Sequence, residues 1–171
     1  MILIALGGNL PHPRLGAPAN TLAVALNRLE ERGVFVLVQS NWYTSPPDPP
    51  SGQGWYTNGV AQVATDLDPP GLLQVLLETE AELGRRRAGE ARNAARTADL
   101  DLLDYDGRVQ QSPDGTLVLP HPRLHARSFV LLPLAEVAPG WMHPTLHQSV
   151  EELIAALPPG PRAEPMGASE A

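Results

Sequence analysis

The chain has 171 residues, a net charge of −7 and no cysteine, and its 12 basic side chains are all arginine. This excludes disulfides, thiolate metal sites, cysteine nucleophiles and lysine Schiff-base chemistry, and the acidity argues against a general nucleic-acid binder. The length fits one domain, no apolar run is long enough to cross a membrane, and the apolar start has no basic n-region, so a cytoplasmic protein is expected.

Residues 2–6 are a short apolar run and predict a central strand. Residues 10–19 form a proline-containing loop. Asn20 is expected to N-cap a helix in which Leu22, Ala25, Leu26 and Leu29 follow i, i+3, i+4, i+7 spacing, with Gly33 at its end. Residues 34–38 are apolar and rich in β-branched side chains, a second strand. Residues 45–54, rich in Pro, Gly and Ser, can only be a loop. Residues 56–65 predict a third strand. Asp68 followed by Pro69 is an N-cap with proline at the first helical position, and Leu72, Leu73, Leu76, Leu77 and Leu83 give a helical stripe closed by Gly84.

Residues 85–96 lack apolar periodicity and read as a loop holding five of the arginines. Residues 97–105 predict a strand, Asp106-Gly107 a hairpin turn, and residues 117–119 another short strand. The apolar stretch 129–137 follows. Thr145 and Gln148 fit a capping box before a last helix ending near Leu157. Residues 1–158 are then the domain, and the Pro-, Gly- and Ala-rich residues 159–171 are expected to be a disordered tail. The order is β-α-β-β-α-β with a C-terminal hairpin and helices: an α+β, ferredoxin-like core with an antiparallel sheet.

The chemistry centres on Asp99-Leu100-Asp101. On a strand, residues i and i+2 share a face, and at about 3.3 Å rise per residue their Cβ atoms lie roughly 6–7 Å apart. Two carboxylates so placed repel each other unless a cation lies between them. Mg²⁺ suits that position, taking one or two carboxylates with phosphate oxygens and water. Solvated aspartates on an exposed face are the plain alternative, and a sugar-nucleotide transferase site is another. Arg85, Arg86, Arg87, Arg92 and Arg96 precede the pair, and arginine clamps phosphate through its planar fork. Among them Arg96, three residues before Asp99, is the one favoured for a phosphate contact; Arg85, Arg86 and Arg87 each serve equally well on a solvated loop. His121 is held between prolines with Arg123 and Arg127 nearby. Asn9, after Gly7-Gly8, is read as a turn residue. Trp55, Tyr56 and Phe129 are candidates for stacking a flat ring, and Tyr43 is assigned to the core.

Several segments together resemble the 6-hydroxymethyl-7,8-dihydropterin pyrophosphokinase family of folate biosynthesis. The strongest is Arg92-Asn93-Ala94-Ala95-Arg96-Thr97-Ala98-Asp99-Leu100-Asp101-Leu102-Leu103. In the family's order come also Leu6-Gly7-Gly8-Asn9-Leu10, Tyr43-Thr44-Ser45-Pro46-Pro47, Tyr56-Thr57-Asn58, Glu80 to Arg85, Pro120-His121-Pro122-Arg123, and Arg127-Ser128-Phe129 through Leu134. The resemblance implies pyrophosphoryl transfer from Mg-ATP to the pterin hydroxymethyl group, with release of AMP. It places two Mg²⁺ ions on Asp99 and Asp101. ATP would meet Glu80, Arg85, Arg96, Leu102 and His121, with Arg123 and Arg127 near phosphate; Arg85, Arg96 and the aspartate pair would be the catalytic set. The pterin would lie between Tyr56 and Phe129, hydrogen-bonded by Asn58, with Ser45, Pro46, Pro47 and Asp48 around it and Asp99 beside its hydroxymethyl group. Neither nucleic acid nor membrane is an expected partner, and a monomer is expected. Asn93, Ala88 and Thr116 depart from residues common in the family, which bears on loop closure and ATP affinity. Two other readings stay open: a different metal-dependent nucleotide enzyme using the same D-x-D, and a non-enzymatic module whose arginine loop grips RNA.

Overall fold

The computed structural model describes residues 1–47, 50–85 and 94–167. The expectations for Asp48 and for Arg86, Arg87, Ala88, Arg92 and Asn93 lie outside those residues.

The strand β1 (Ile2–Gly8) is the centre of the sheet, as its unbroken apolar run requires. It pairs antiparallel with β4 (Tyr56–Ala64) on one side and β5 (Asp99–Tyr105) on the other. Beyond β4 lie two short strands in one lane. β2 (Phe35–Gln39) pairs with the C-terminal half of β4, and β3 (Tyr43–Ser45) with its N-terminal residues. Ser40 bridges the gap: its N–H donates to the Val60 carbonyl, and its Oγ accepts from the Val60 N–H. Counting β2 and β3 as one lane gives the ferredoxin-like order, all antiparallel.

The helices α1 (Pro18–Glu30) and α2 (Pro69–Glu82) cover one face of the sheet. Ile2, Ile4, Leu6, Leu100 and Leu102 point into that layer with Leu22, Leu29, Leu72 and Leu76. The opposite face carries α3 (Ser128–Val137) and α4 (Val150–Ala156), where Leu3, Val60 and Leu103 pack with Leu131, Leu134 and Leu153. Strand alternation sends Asp99 and Asp101 to the face of Leu103, toward α3.

Four local expectations change. Asn20 is not the N-cap of α1: the helix begins at Pro18, whose missing N–H suits the first turn, and the Asn20 amide donates to the Leu15 carbonyl. The turn Asp106-Gly107 forms with both residues at positive φ, but the strands that pair are β6 (Gln110–Gln111) and β7 (Val118–Leu119). The capping box of α4 is Ser149 with Glu152, not Thr145 with Gln148; the Thr145 N–H is taken by His143 Nδ1. Residues 159–167 are not a tail, because Glu164–Pro165 forms β8 on the outer edge of β3. Composition marked that stretch as unable to build a core, yet pairing on an open strand edge requires none. Asp68 caps α2 as expected, its carboxylate accepting from the Gly71 N–H.

Candidate functional site

β5 presents Asp99 and Asp101 on one face, and their cross-strand partners on β1 are Gly7 and Ala5. Those two minimal side chains leave the space above the carboxylates open. The result is a cavity of about 490 Å³ whose floor is β1 and β5. Among the described residues, the sequence-predicted site residues line it except Glu80, Leu102 and the stacking candidate Trp55.

Asp99 accepts from both flanking arginines. Arg96 Nη1 lies 2.6 Å from Oδ2, and Arg85 Nη1 contacts Oδ1. Burial alone would raise the Asp99 pKa, but the two guanidinium groups outweigh it and hold the carboxyl below its usual range. Arg85 is itself largely buried. Burial disfavours its charge, yet the Asp99 and Glu80 carboxylates raise its pKa further. Its Nε is buried with no hydrogen-bond partner among the described residues, a donor disposed to an incoming anion.

Glu80 does not reach the cavity. It is wholly buried, and Oε1 accepts from the Leu100 N–H (2.7 Å) and Arg85 Nη1 (2.8 Å). It fixes Arg85 against β5 and so acts on the site through that arginine. The Leu102 side chain packs into the core beneath α1 and α2, because strand alternation directs it away from the aspartates.

His121 is brought to β5 by its own backbone, whose N–H donates to the Leu103 carbonyl at 2.8 Å. Nδ1 accepts from the Arg123 N–H, so the neutral ring carries its proton on Nε2, 4.0 Å from Asp101 Oδ2. Burial, then Arg127 and Arg123, push its pKa down to about 4. The imidazole is therefore neutral at physiological pH.

The other end of the cavity is flat and less charged. Tyr56 and Asn58 come from β4, Ser45-Pro46-Pro47 from the end of β3, and Phe129 from the first turn of α3. Asn58 Nδ2 donates to Ser45 Oγ at 2.9 Å. The Arg127 guanidinium lies 5.4 Å from the centre of the Phe129 ring, a cation–π contact. Tyr43 is buried and donates its hydroxyl to Glu136, as its assignment to the core implied. Thr116 is tied to Asp114 in the β6–β7 turn and does not line the cavity.

Asn9 is more than a turn residue. Its Nδ2 donates to Gln53 Oε1 and the Gly54 carbonyl, and its Oδ1 accepts from the Arg96 N–H. The Arg96 carbonyl accepts from the N–H groups of Asn9 and Leu10. One side chain thus fastens the loop after β3 to the arginine segment. Gly8 permits this approach: a Cβ there would lie 2.7 Å from the Thr97 carbonyl oxygen. Gln53 and Ser51, which also line the cavity, were not anticipated; a lone Gln between Gly52 and Gly54 was their only signal.

Among the described residues, no cluster of three or more His, Asp or Glu forms a self-contained metal cage. The donor set is two carboxylates beside open space and two arginines. That suits Mg²⁺, which keeps several waters and takes its remaining ligands from substrate phosphates.

The chain is similar to a family of known proteins over most of its length. Residues 3–139 match the family model for 7,8-dihydro-6-hydroxymethylpterin-pyrophosphokinase. The chain is 40% identical over 157 residues to the 2-amino-4-hydroxy-6-hydroxymethyldihydropteridine pyrophosphokinase of Methylorubrum extorquens, covering 91% of this chain and 92% of that one. With the enzyme of the same name from Synechocystis it shares 38% identity over 157 residues, covering 89% and 73%. Among solved structures it resembles a Plasmodium falciparum HPPK-DHPS triple mutant with SDX-DHP, with a TM-score of 0.66 and 14% identity. That match covers 90% of this chain and 43% of the other, and it supports the fold alone.

Proposed function

The chain belongs to the 7,8-dihydro-6-hydroxymethylpterin-pyrophosphokinase family, ATP-dependent enzymes of folate biosynthesis, and from that premise we propose how its own residues divide the work. The triphosphate of ATP lies over β5 against Arg85, Arg96 and His121, with Arg123 and Arg127 at the phosphate edge. Asp99 and Asp101 would hold two Mg²⁺ ions, whose charge would offset that of the phosphates and lower the pKa of the attacking hydroxyl. The dihydropterin lies between Tyr56 and Phe129, its edge bonded by Asn58 and bordered by Ser45, Pro46, Pro47 and Asp48. The protein acts as a monomer in the cytoplasm, on small molecules only.

The pairing of Asp99 with two arginines carries this reading. A carboxylate holding two guanidinium groups is a charge arrangement ready to be exchanged. With Mg-ATP bound, Asp99 would serve as a ligand to the cation, and the Arg85 and Arg96 guanidinium groups, held where they are, would be available to phosphate oxygens. Each of these buried charges would then exchange one partner for another, which limits the desolvation cost. The hydroxymethyl oxygen gives up its proton to water and attacks the β-phosphorus, the bond from that phosphorus to the bridging α-phosphate oxygen breaks, and AMP leaves with that oxygen. Such a transfer needs alignment and charge neutralisation more than covalent help. The arginines supply the neutralisation from fixed positions, Arg85 through Glu80 and Arg96 through Asn9. Neutral His121 offers its Nε2 proton as a hydrogen-bond donor.

Incubation with Mg-ATP and 6-hydroxymethyl-7,8-dihydropterin should yield AMP and the pterin diphosphate in equal amounts. ADP or free pyrophosphate in place of AMP would point to another nucleotide reaction. Asp99→Ala and Asp101→Ala should each lower kcat/KM by at least about 10²–10³-fold, the size seen when one preorganised charge partner is removed, with an unchanged circular dichroism spectrum. Near-normal turnover in either variant would refute the metal role.

A further inference from the structure

The proposed pterin pocket has two walls: β3 running into Pro46 and Pro47, and the start of α3 with Arg127 and Phe129. Two ties join them. At the far end of α3, Glu136 accepts from the Tyr43 hydroxyl (2.5 Å) and the Asn41 N–H (2.9 Å). At the near end, beside Phe129, the tie is the C-terminal segment. Its β8 pairs with Tyr43 and Thr44 on the outer edge of β3, and the Met166 N–H donates to the Trp42 carbonyl at 2.8 Å. The Ala163 N–H donates to Ser128 Oγ at 3.2 Å, and Ala163 is 4% exposed. Ser128 stands between Arg127 and Phe129. Leu157 to Arg162 wall a second cavity of about 490 Å³ that shares Pro46, Pro47 and Phe129 with the first. Pro46, Pro47 and Phe129 therefore border both cavities, and the strap joins the backbone of β3 to that of Ser128 at the start of α3. Pro158, Pro159 and Pro161 stiffen it by fixing φ. It lies beyond residues 3–139, the part matched to the family.

We propose that residues 157–166 form a substrate-positioning strap. The hydrogen bond from Ala163 to Ser128 Oγ holds the Phe129 wall at its working distance from Pro46-Pro47, and so sets pterin affinity without entering phosphoryl transfer. The proposal rests on the placement of the pterin in this pocket. Ser128 is a positioning residue, not a catalytic one.

The test uses the full chain and steady-state kinetics with both substrates varied. Ser128→Ala should raise the pterin KM about fivefold, the net worth of one hydrogen bond, while kcat and the ATP KM stay within about twofold, well below that hydrogen-bond effect. Ser128→Thr, which keeps the hydroxyl, should restore the pterin KM. An unchanged pterin KM in Ser128→Ala, a proportionate change in kcat or the ATP KM, or failure of Ser128→Thr to restore it would overturn the proposal. Phe129→Ala is the control for the pocket itself. If it raises the pterin KM and Ser128→Ala does not, the strap alone is refuted. If Phe129→Ala leaves the pterin KM unchanged, the pocket assignment falls, and the strap proposal with it.

Discussion

Asp99 and Asp101 stand two residues apart on one strand, yet their surroundings differ. Asp99 is enclosed by two arginines with its side chain 23% exposed, whereas Asp101 faces His121 with 38% exposed. The spacing on the strand was legible in the sequence, because side-chain alternation follows from backbone geometry alone. The identity of the partners was not: Arg85 lies 14 residues from Asp99, and only the tertiary fold brings their side chains together. Glu80 illustrates the same limit. Its place at the buried end of α2 makes it the support of Arg85, outside the lining of the cavity. Arg96→Ala should therefore act on the transition state, lowering kcat by about 10²-fold with a smaller effect on pterin affinity. A change confined to pterin affinity would count against the phosphate role.

At the scale of elements, the close approach of β1 to the arginine segment links the fold to the site. Gly8→Ala would drive a Cβ to 2.7 Å from the Thr97 carbonyl. Backbone lies on both sides, so the strain cannot be relieved by a rotamer. The cost should be about 1–3 kcal/mol, and the displaced Arg96 should lower kcat as well. Asp68→Ala is the contrast: loss of the α2 cap should cost about 1 kcal/mol and leave kcat alone. Urea midpoints and turnover measured together would separate the two, and normal turnover in Gly8→Ala would show that the clamp is not needed for catalysis. The Asp68 cap was readable because its chemistry is local. The α4 cap was misassigned because Thr145 is held by His143, a contact made by the folded turn. β8 was missed because its only requirement, an open edge on β3, is not written in its own residues.

The molecule as a whole buries two histidines against their tendency to protonate. His121 is pushed down to about 4, and burial, with His125 close by, also lowers the pKa of His143. A base whose folded pKa is depressed binds fewer protons when folded than when unfolded. Stability is then complete above the unfolded value of about 6.5 and declines as pH falls through 6.5 toward 4. The His121 contribution is about 3 kcal/mol at most. Denaturant midpoints measured between pH 7 and pH 4, without nucleotide or Mg²⁺, should fall, and His121→Gln should flatten the curve; a flat wild-type profile would contradict the burial argument. The sequence by itself determined the four long strands of the core, the two long helices, the ferredoxin-like order and the shared face of the aspartates. Each of these follows from periodicity, capping or motif order, which act over a few residues or along the chain. Only the tertiary structure decided that Asp99 is held by Arg85 and Arg96, that Asn9 clasps two loops, and that β8 closes the sheet edge along β3. Those contacts join residues far apart in sequence, and their formation depends on which surfaces the packed sheet leaves open.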